Sequence, residues 1–142
     1  MILMDVNILV YAFRKDATHH AQYRDWLHGI VNAPSAFGIS DLVLSGFLRI
    51  VTHPKVFKQP STWIEATDFV RMVRNQPNCR SITCGEQHWD IFTDLCRKVD
   101  AKGNLVADAF LAAIAIESGC EWITTDRDFA KFPGLKWRHP LD

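Results

Sequence analysis

The sequence lacks any surplus of charge. Its 142 residues carry 16 Lys+Arg against 16 Asp+Glu, a formal net charge of zero. Global charge therefore gives no evidence for nucleic-acid binding, and any such partner would need bases segregated locally around the site. Long apolar runs are also missing: none approaches the roughly 20 residues that span a bilayer. The opening, Met1-Ile-Leu-Met-Asp-Val-Asn, has no positive n-region and meets an acid at Asp5, so a signal peptide is not expected and the compartment read from it is the cytoplasm. Cys79, Cys84, Cys96 and Cys120 form no CxxC pair and no Cys/His cluster of zinc spacing. Four reduced thiols are the expectation. Repeats, low-complexity segments and linkers are absent, which leaves one domain over residues 1–142.

What is present is ample core material. Apolar residues make up 48% of the chain and charged residues 23%, with five Trp and nine Phe. That is a globular balance, not a disordered one.

Short apolar runs alternate with amphipathic stretches. Ile2-Leu-Met reads as a buried strand ending at Asp5. Val6 to Phe13 either extends it or opens a short helix capped by Asp5 or Asn7. Thr18 to Val31 carries Ala21, Trp26, Leu27 and Ile30 at helical spacing. Ala36-Phe-Gly-Ile is a second strand, after which Ser40 can cap a helix running to about Thr52 and stopped by Pro54. Thr62 and Glu65 are spaced as a capping box for the next helix, which closes before Pro77. Ser81-Ile-Thr-Cys is a weak strand, and Glu86 to Val99 a helix with Trp89, Phe92, Leu95 and Cys96 on one face. Asn104 to Ser118 is apolar nearly all round, which predicts a buried helix stopped by Gly119. Glu121-Trp-Ile-Thr-Thr is a strand leading to Asp126, and Leu135 to Trp137 a last one after the Pro133-Gly134 turn. The alternation predicts an α/β fold, a short and mostly parallel sheet flanked on both faces by helices.

In such sheets ligands bind beyond the carboxyl ends of the strands. Asp5 and Asp126 stand at two of those ends, and Asp108 lies early in the Ala-rich helix that leads into the Asp126 strand. Taken singly, each acid is as well explained by a cap or an ion pair. Asp128 is expected to cap the turn after Asp126, and Ser40 to cap its helix. His19, His20 and His53 have no ligand spacing and are expected at the surface. The signal is convergence: three carboxylates on one edge repel one another, and a hard divalent cation with oxygen ligands relieves that. Such a site can activate water against a phosphodiester.

The same residues resemble a known family. Met4-Asp-Val-Asn-Ile-Leu-Val-Tyr-Ala resembles the opening of PIN domains. Ser45-Gly-Phe-Leu-Arg-Ile-Val-Thr-His-Pro with Val56-Phe57, Leu105-Val-Ala-Asp-Ala-Phe-Leu-Ala-Ala-Ile-Ala, and Thr124-Thr-Asp-Arg-Asp-Phe-Ala-Lys-Phe-Pro-Gly-Leu-Lys-Trp are similar, in order, to the later blocks of VapC-type toxins. The blocks span the whole chain. The resemblance implies a PIN-like three-layer fold and a Mg²⁺- or Mn²⁺-dependent endoribonuclease that is one half of a toxin–antitoxin pair. It also implies neutralisation by a cognate antitoxin and a homodimer. Asp5, Asp108 and Asp126 match its acidic catalytic and metal positions; Asn7, Ser40 and Asp128 fall to supporting roles.

Position 46 departs from the pattern, which places Glu immediately before Phe-Leu-Arg; here it is Gly46. Glycine inside a helix costs about 1 kcal/mol relative to Ala, so Gly46 reads as a weakening or inactivating change, introduced or selected in preference to natural. Asp41 lies on another face of that helix and does not replace the lost carboxylate. The alternative is a PIN-fold protein that binds antitoxin or RNA and cuts nothing. Arg14, Lys15, Arg49, His53, Lys55, Arg127 and Lys131 are the bases placed to meet phosphates. Trp26, Trp63, Phe69 and Met72 are expected mostly in the core, with any surplus left for a partner. A receiver-type phosphoacceptor would need an Asp after the third strand, where Cys84-Gly85 stands. A haloacid-dehalogenase-type phosphatase would need Asp-x-Asp where Asp5-Val-Asn7 stands.

Overall fold

A computed structural model describes residues 1–142. Asp5 ends strand β1 (Ile2–Met4) and caps helix α1 (Val6–Phe13), settling the first ambiguity in favour of a helix. Helix α2 (His20–Val31) follows, then β2 (Phe37–Ile39) and α3 (Asp41–Val51), whose N-cap is Ser40. Helix α4 (Trp63–Arg74) is capped by Thr62, whose hydroxyl accepts the Glu65 N–H at 3.2 Å. Strand β3 (Cys79–Ser81) lies upstream of the predicted Ser81–Cys84 run. Its half-exposed edge position gave no apolar run to mark it. Helices α5 (His88–Val99) and α6 (Asn104–Ser118) precede β4 (Glu121–Ile123), a 3₁₀ turn (Arg127–Lys131) and β5 (Trp137–Arg138), which begins later than the predicted Leu135.

All pairings in the five-stranded sheet are parallel, in the order β3-β2-β1-β4-β5. The chain winds from β1 through β2 to β3, then returns to the other side of β1 for β4 and β5. The winding direction therefore reverses between β1 and β4, and that reversal opens a crevice at their carboxyl ends. Leu3 pairs with Trp122 and Met4 with Ile123, so Asp5 and the residues after Ile123 leave the sheet side by side.

The strands are apolar because both faces are covered. Leu3, Met4, Phe37, Ile39, Trp122 and Ile123 are all buried. Phe13, Phe47 and Phe69 join α1, α3 and α4 with ring centroids 5.0–5.3 Å apart. Helix α6 is not buried all round as its composition predicts. Ala109, Ala112, Ala113, Ile114 and Ala115 are inside, while the first turn leaves Val106 and Ala107 exposed. Its C-terminal Gly119 takes the left-handed conformation (φ 69°) that lets the chain reverse into β4. The cysteines are all free, and no helix is long and apolar enough to cross a membrane.

Candidate active site

Asp5 is fixed from both sides. It is buried, with 6% of its surface exposed, and its backbone N–H donates to Ile123 O at 2.9 Å. Oδ1 accepts the Val6 N–H at 2.7 Å, the first-turn bond of α1. Oδ2 accepts the Thr124 hydroxyl at 2.6 Å. Thr124 is fully buried, and its Oγ1 in turn accepts the Asp126 N–H at 3.0 Å. One hydroxyl thus ties the first acid to the backbone of the last. Asp126 Oδ1 accepts the Asp128 N–H at 2.9 Å, so Asp126 rather than Asp128 caps the 3₁₀ turn.

Asp108 approaches from α6 and is half-buried. No arginine, lysine or hydrogen-bond donor offsets its charge, so the structural ion pair that would explain it away is not formed. Burial, first, and then the Asp126 and Asp128 carboxylates raise its pKa above the usual carboxylate range. Asp5 is pushed up to about 6, chiefly by burial; the Thr124 and Val6 hydrogen bonds oppose this, and the charges on Asp108 and Asp126 add to it. Asp108 and Asp126 thus lie close enough to Asp5 to act on its charge, and Asp126 and Asp128 close enough to act on Asp108.

The carboxylates do not close into a ready-made cage of three or more ligating side chains. A small hard cation does not require one, because Mg²⁺ retains several waters and takes only one or two carboxylates. The donor set fits such an ion: all oxygen, acidic, and with Asp108 left without a protein partner.

The supporting positions divide. Ser40 is buried and its Oγ accepts the Leu42 N–H at 3.2 Å, a helix cap. Asn7 is half-buried on α1, and the side chain hydrogen-bonded to Asp5 is that of Thr124. Thr124 was missed from sequence because a threonine before an Asp carries no mark of burial; only the β1–β4 pairing brings it to Asp5. Gly46 has a packing reason that propensity does not show. A Cβ there would lie 3.0 Å from Val6 Cγ2, tight contact where α3 crosses α1.

The bases divide as well. Arg14 is committed to structure: it donates to Asp16, to Gln59 O at 2.9 Å and to Ser61 Oγ at 2.9 Å, and stacks 3.9 Å over Phe57. Arg127 pairs with Asp142 and Lys131 with Asp128. His53 Nδ1 accepts the Lys55 N–H, and His20 Nδ1 bonds Tyr11 O. Arg49 is exposed and unpaired on the α3 face that carries Gly46.

A buried strand-end acid, a hydroxyl linking it to a second acid, and a third acid on the preceding helix define an acidic-crevice α/β domain. The chain belongs to the PIN domain family, whose model matches residues 2–135. It is similar over its whole length to a VapC ribonuclease of Mycobacterium bovis, 44% identical, with 100% of this chain and 97% of that protein covered. Ribonuclease VapC25 of Mycobacterium tuberculosis is 37% identical, with 99% of each covered. Among solved structures, VapBC2 from Rickettsia felis, bound to a DNA fragment from its promoter, matches with a TM-score of 0.70 at 20% identity over 98% of both chains. The sarcin–ricin loop cleaving toxin VapC20 of Mycobacterium tuberculosis matches with a TM-score of 0.66 at 16% identity, covering 96% of this chain and 99% of that one. At those identities the structural matches establish the shared fold.

Proposed function

We propose that this protein is the toxin of a toxin–antitoxin pair, an endoribonuclease that hydrolyses RNA phosphodiester bonds with Mg²⁺ or Mn²⁺ bound at the crevice of Asp5, Asp108 and Asp126, through one or two of these carboxylates and water. The observation that carries this reading is the Asp5–Thr124–Asp126 link at the switch point of the sheet, with Asp108 un-neutralised beside it. A divalent ion, when bound, lowers the pKa of a coordinated water and offsets charge on the phosphodiester. Thr124 holds Asp5 in one rotamer, so that its oxygens need no reordering when substrate arrives. Asp108, lacking a protein donor, keeps its oxygens free for a ligand or a proton. Asp128 adds negative charge at the mouth.

Ribonuclease relatives at 37–44% identity over nearly the whole chain favour an active enzyme over a binding-only protein. Gly46 leaves the site one carboxylate short of the family pattern, which weakens the hold on the metal without abolishing it. The partner is a cognate antitoxin, in keeping with the VapBC complexes that share the fold. Trp63 and Ile64, 62% and 72% exposed on α4, supply apolar surface for it. A homodimer in the cytoplasm completes the reading.

The test is cleavage of a panel of structured RNAs with and without divalent ion, alongside Asp126→Asn. Metal-dependent cutting that Asp126→Asn loses by a factor of about 10² or more is expected, the scale on which removing one catalytic group acts. Cutting that survives both chelator and Asp126→Asn, or none from a folded chain, overturns the proposal.

A further inference from the structure

Next to the acidic crevice lies an open groove of about 620 Å³ between α3, α5 and α6, its lining mostly apolar. Val6 and Ala107 form part of its wall, and these are the immediate neighbours of Asp5 and Asp108. Phe92 and Phe110 supply aromatic surface, their centroids 5.2 Å apart and their rings edge to face. Gly46 lines the groove from α3, and Arg49 stands on the same helix face one turn on. Arg49 is not neutralised: the acid that begins its helix, Asp41, is taken by Arg74 at 3.3 Å.

An apolar, aromatic slot with one free guanidinium at its rim, walled by the chain neighbours of Asp5 and Asp108, suits one class of occupant. A nucleobase has two apolar faces and stays tethered to an anionic phosphate. Aromatic side chains take the faces and arginine takes the phosphate. A second copy of this chain or an apolar peptide helix would also use the slot; Arg49, free of any acid of its own chain, favours an occupant whose apolar face is tethered to an anion.

We infer that the groove of Gly46, Arg49, Phe92 and Phe110 is a nucleotide subsite, holding an unstacked base of single-stranded RNA beside the scissile phosphate. This rests on the ribonuclease reading for the identity of the polymer. Gly46 then has a positive role. A side chain there would intrude over Val6 and narrow the slot, so the residue that departs from the acidic pattern also shapes what RNA the site admits.

The probe is a mixed-sequence single-stranded RNA containing 4-thiouridine, bound by the full chain carrying Asp126→Asn so that it is not cut. Photo-crosslinks are mapped, and affinity is followed by anisotropy against salt. Crosslinks to α5 and α6 peptides containing Phe92 or Phe110 are expected. Gly46→Leu and Phe110→Ala should each weaken binding about 10-fold, the scale of one lost base stack. Arg49→Ala should lower the slope of log affinity on log salt by about 0.7, one phosphate contact on a single strand. Circular dichroism shows whether Gly46→Leu stays folded; if it does not, Phe110→Ala and Arg49→Ala carry the test. RNA that binds and crosslinks only elsewhere overturns the subsite while leaving the nuclease reading intact. RNA that does not bind at all overturns both. A shift from dimer to monomer in Phe110→Ala, with RNA affinity unchanged, assigns the groove to a second copy and overturns the proposal.

Discussion

Thr124 Oγ1 donates to Asp5 Oδ2 at 2.6 Å although the two residues are 119 positions apart, and the same oxygen accepts the Asp126 N–H at 3.0 Å. Replacing the hydroxyl by a methyl leaves a buried carboxylate oxygen and a backbone N–H without partners. Thr124→Val should cost about 1–3 kcal/mol in urea unfolding and lower kcat more than it raises KM. Thr124→Ser should restore most of both. If the serine variant is as impaired as the valine one, the hydroxyl is not what matters.

Asp5 sets a pH dependence. Its folded pKa, raised to about 6 from 3.8, exceeds the unfolded one, so the folded state binds the proton more tightly. Without divalent ion, stability should fall as pH rises from about 4 to 6, by up to about 3 kcal/mol. Asp5→Asn should flatten that profile. Melting at several pH values in chelator checks it; a profile that rises through this window contradicts the assignment.

Divalent ion should act in the opposite sense. Proton and metal compete for the same carboxylates, so the rise in Tm given by Mg²⁺ should be larger at about pH 7.5 than at about pH 5. Asp108→Asn should remove most of the rise, because its oxygens have no protein donor to satisfy. An unchanged rise in that variant would exclude Asp108 from the metal site.

Gly46→Glu separates two effects. The added carboxylate should tighten divalent binding and raise kcat at limiting metal. The side chain should crowd Val6, costing about 1–3 kcal/mol of stability as overpacking does, and raise KM for RNA by narrowing the groove. Steady-state cleavage with a metal titration distinguishes the two; a variant with wild-type kcat at every metal concentration would show that position 46 never belonged to the acidic set.

Arg14 is a structural anchor and not a phosphate contact. Arg14→Ala should destabilise the chain by about 2–3 kcal/mol through its lost charge-assisted hydrogen bonds, and leave the salt dependence of RNA binding unchanged. Arg14→Lys should not rescue it, since one ammonium cannot reach Asp16, Gln59 O and Ser61 together while stacking on Phe57.

The apolar runs at Ile2–Met4 and Glu121–Ile123, the caps at Ser40 and Thr62, and the Gly119 stop were legible in the sequence because each is a local matter of pattern and turn chemistry. So was the placing of Asp5 at a strand end; Asp126 instead caps the 3₁₀ turn, because β4 stops at Ile123, short of the predicted Glu121–Thr125 run. The edge strands β3 and β5 were misplaced by a few residues, since half-exposed edges need no apolar alternation. The roles of individual bases were not legible: Arg14 and Arg49 look alike in sequence, and only packing commits one to a loop and leaves the other free.

By itself, then, the sequence determined the alternation of strands and helices, the acids at their junctions and the family blocks that run through the chain, because those depend on residue type and spacing. Tertiary structure alone decided that β1 and β4 are neighbours, that Thr124 joins Asp5 to Asp126, and that α3 crosses α1 with Gly46 against Val6. Those are contacts between residues distant in the chain, fixed by how the helices cover the sheet.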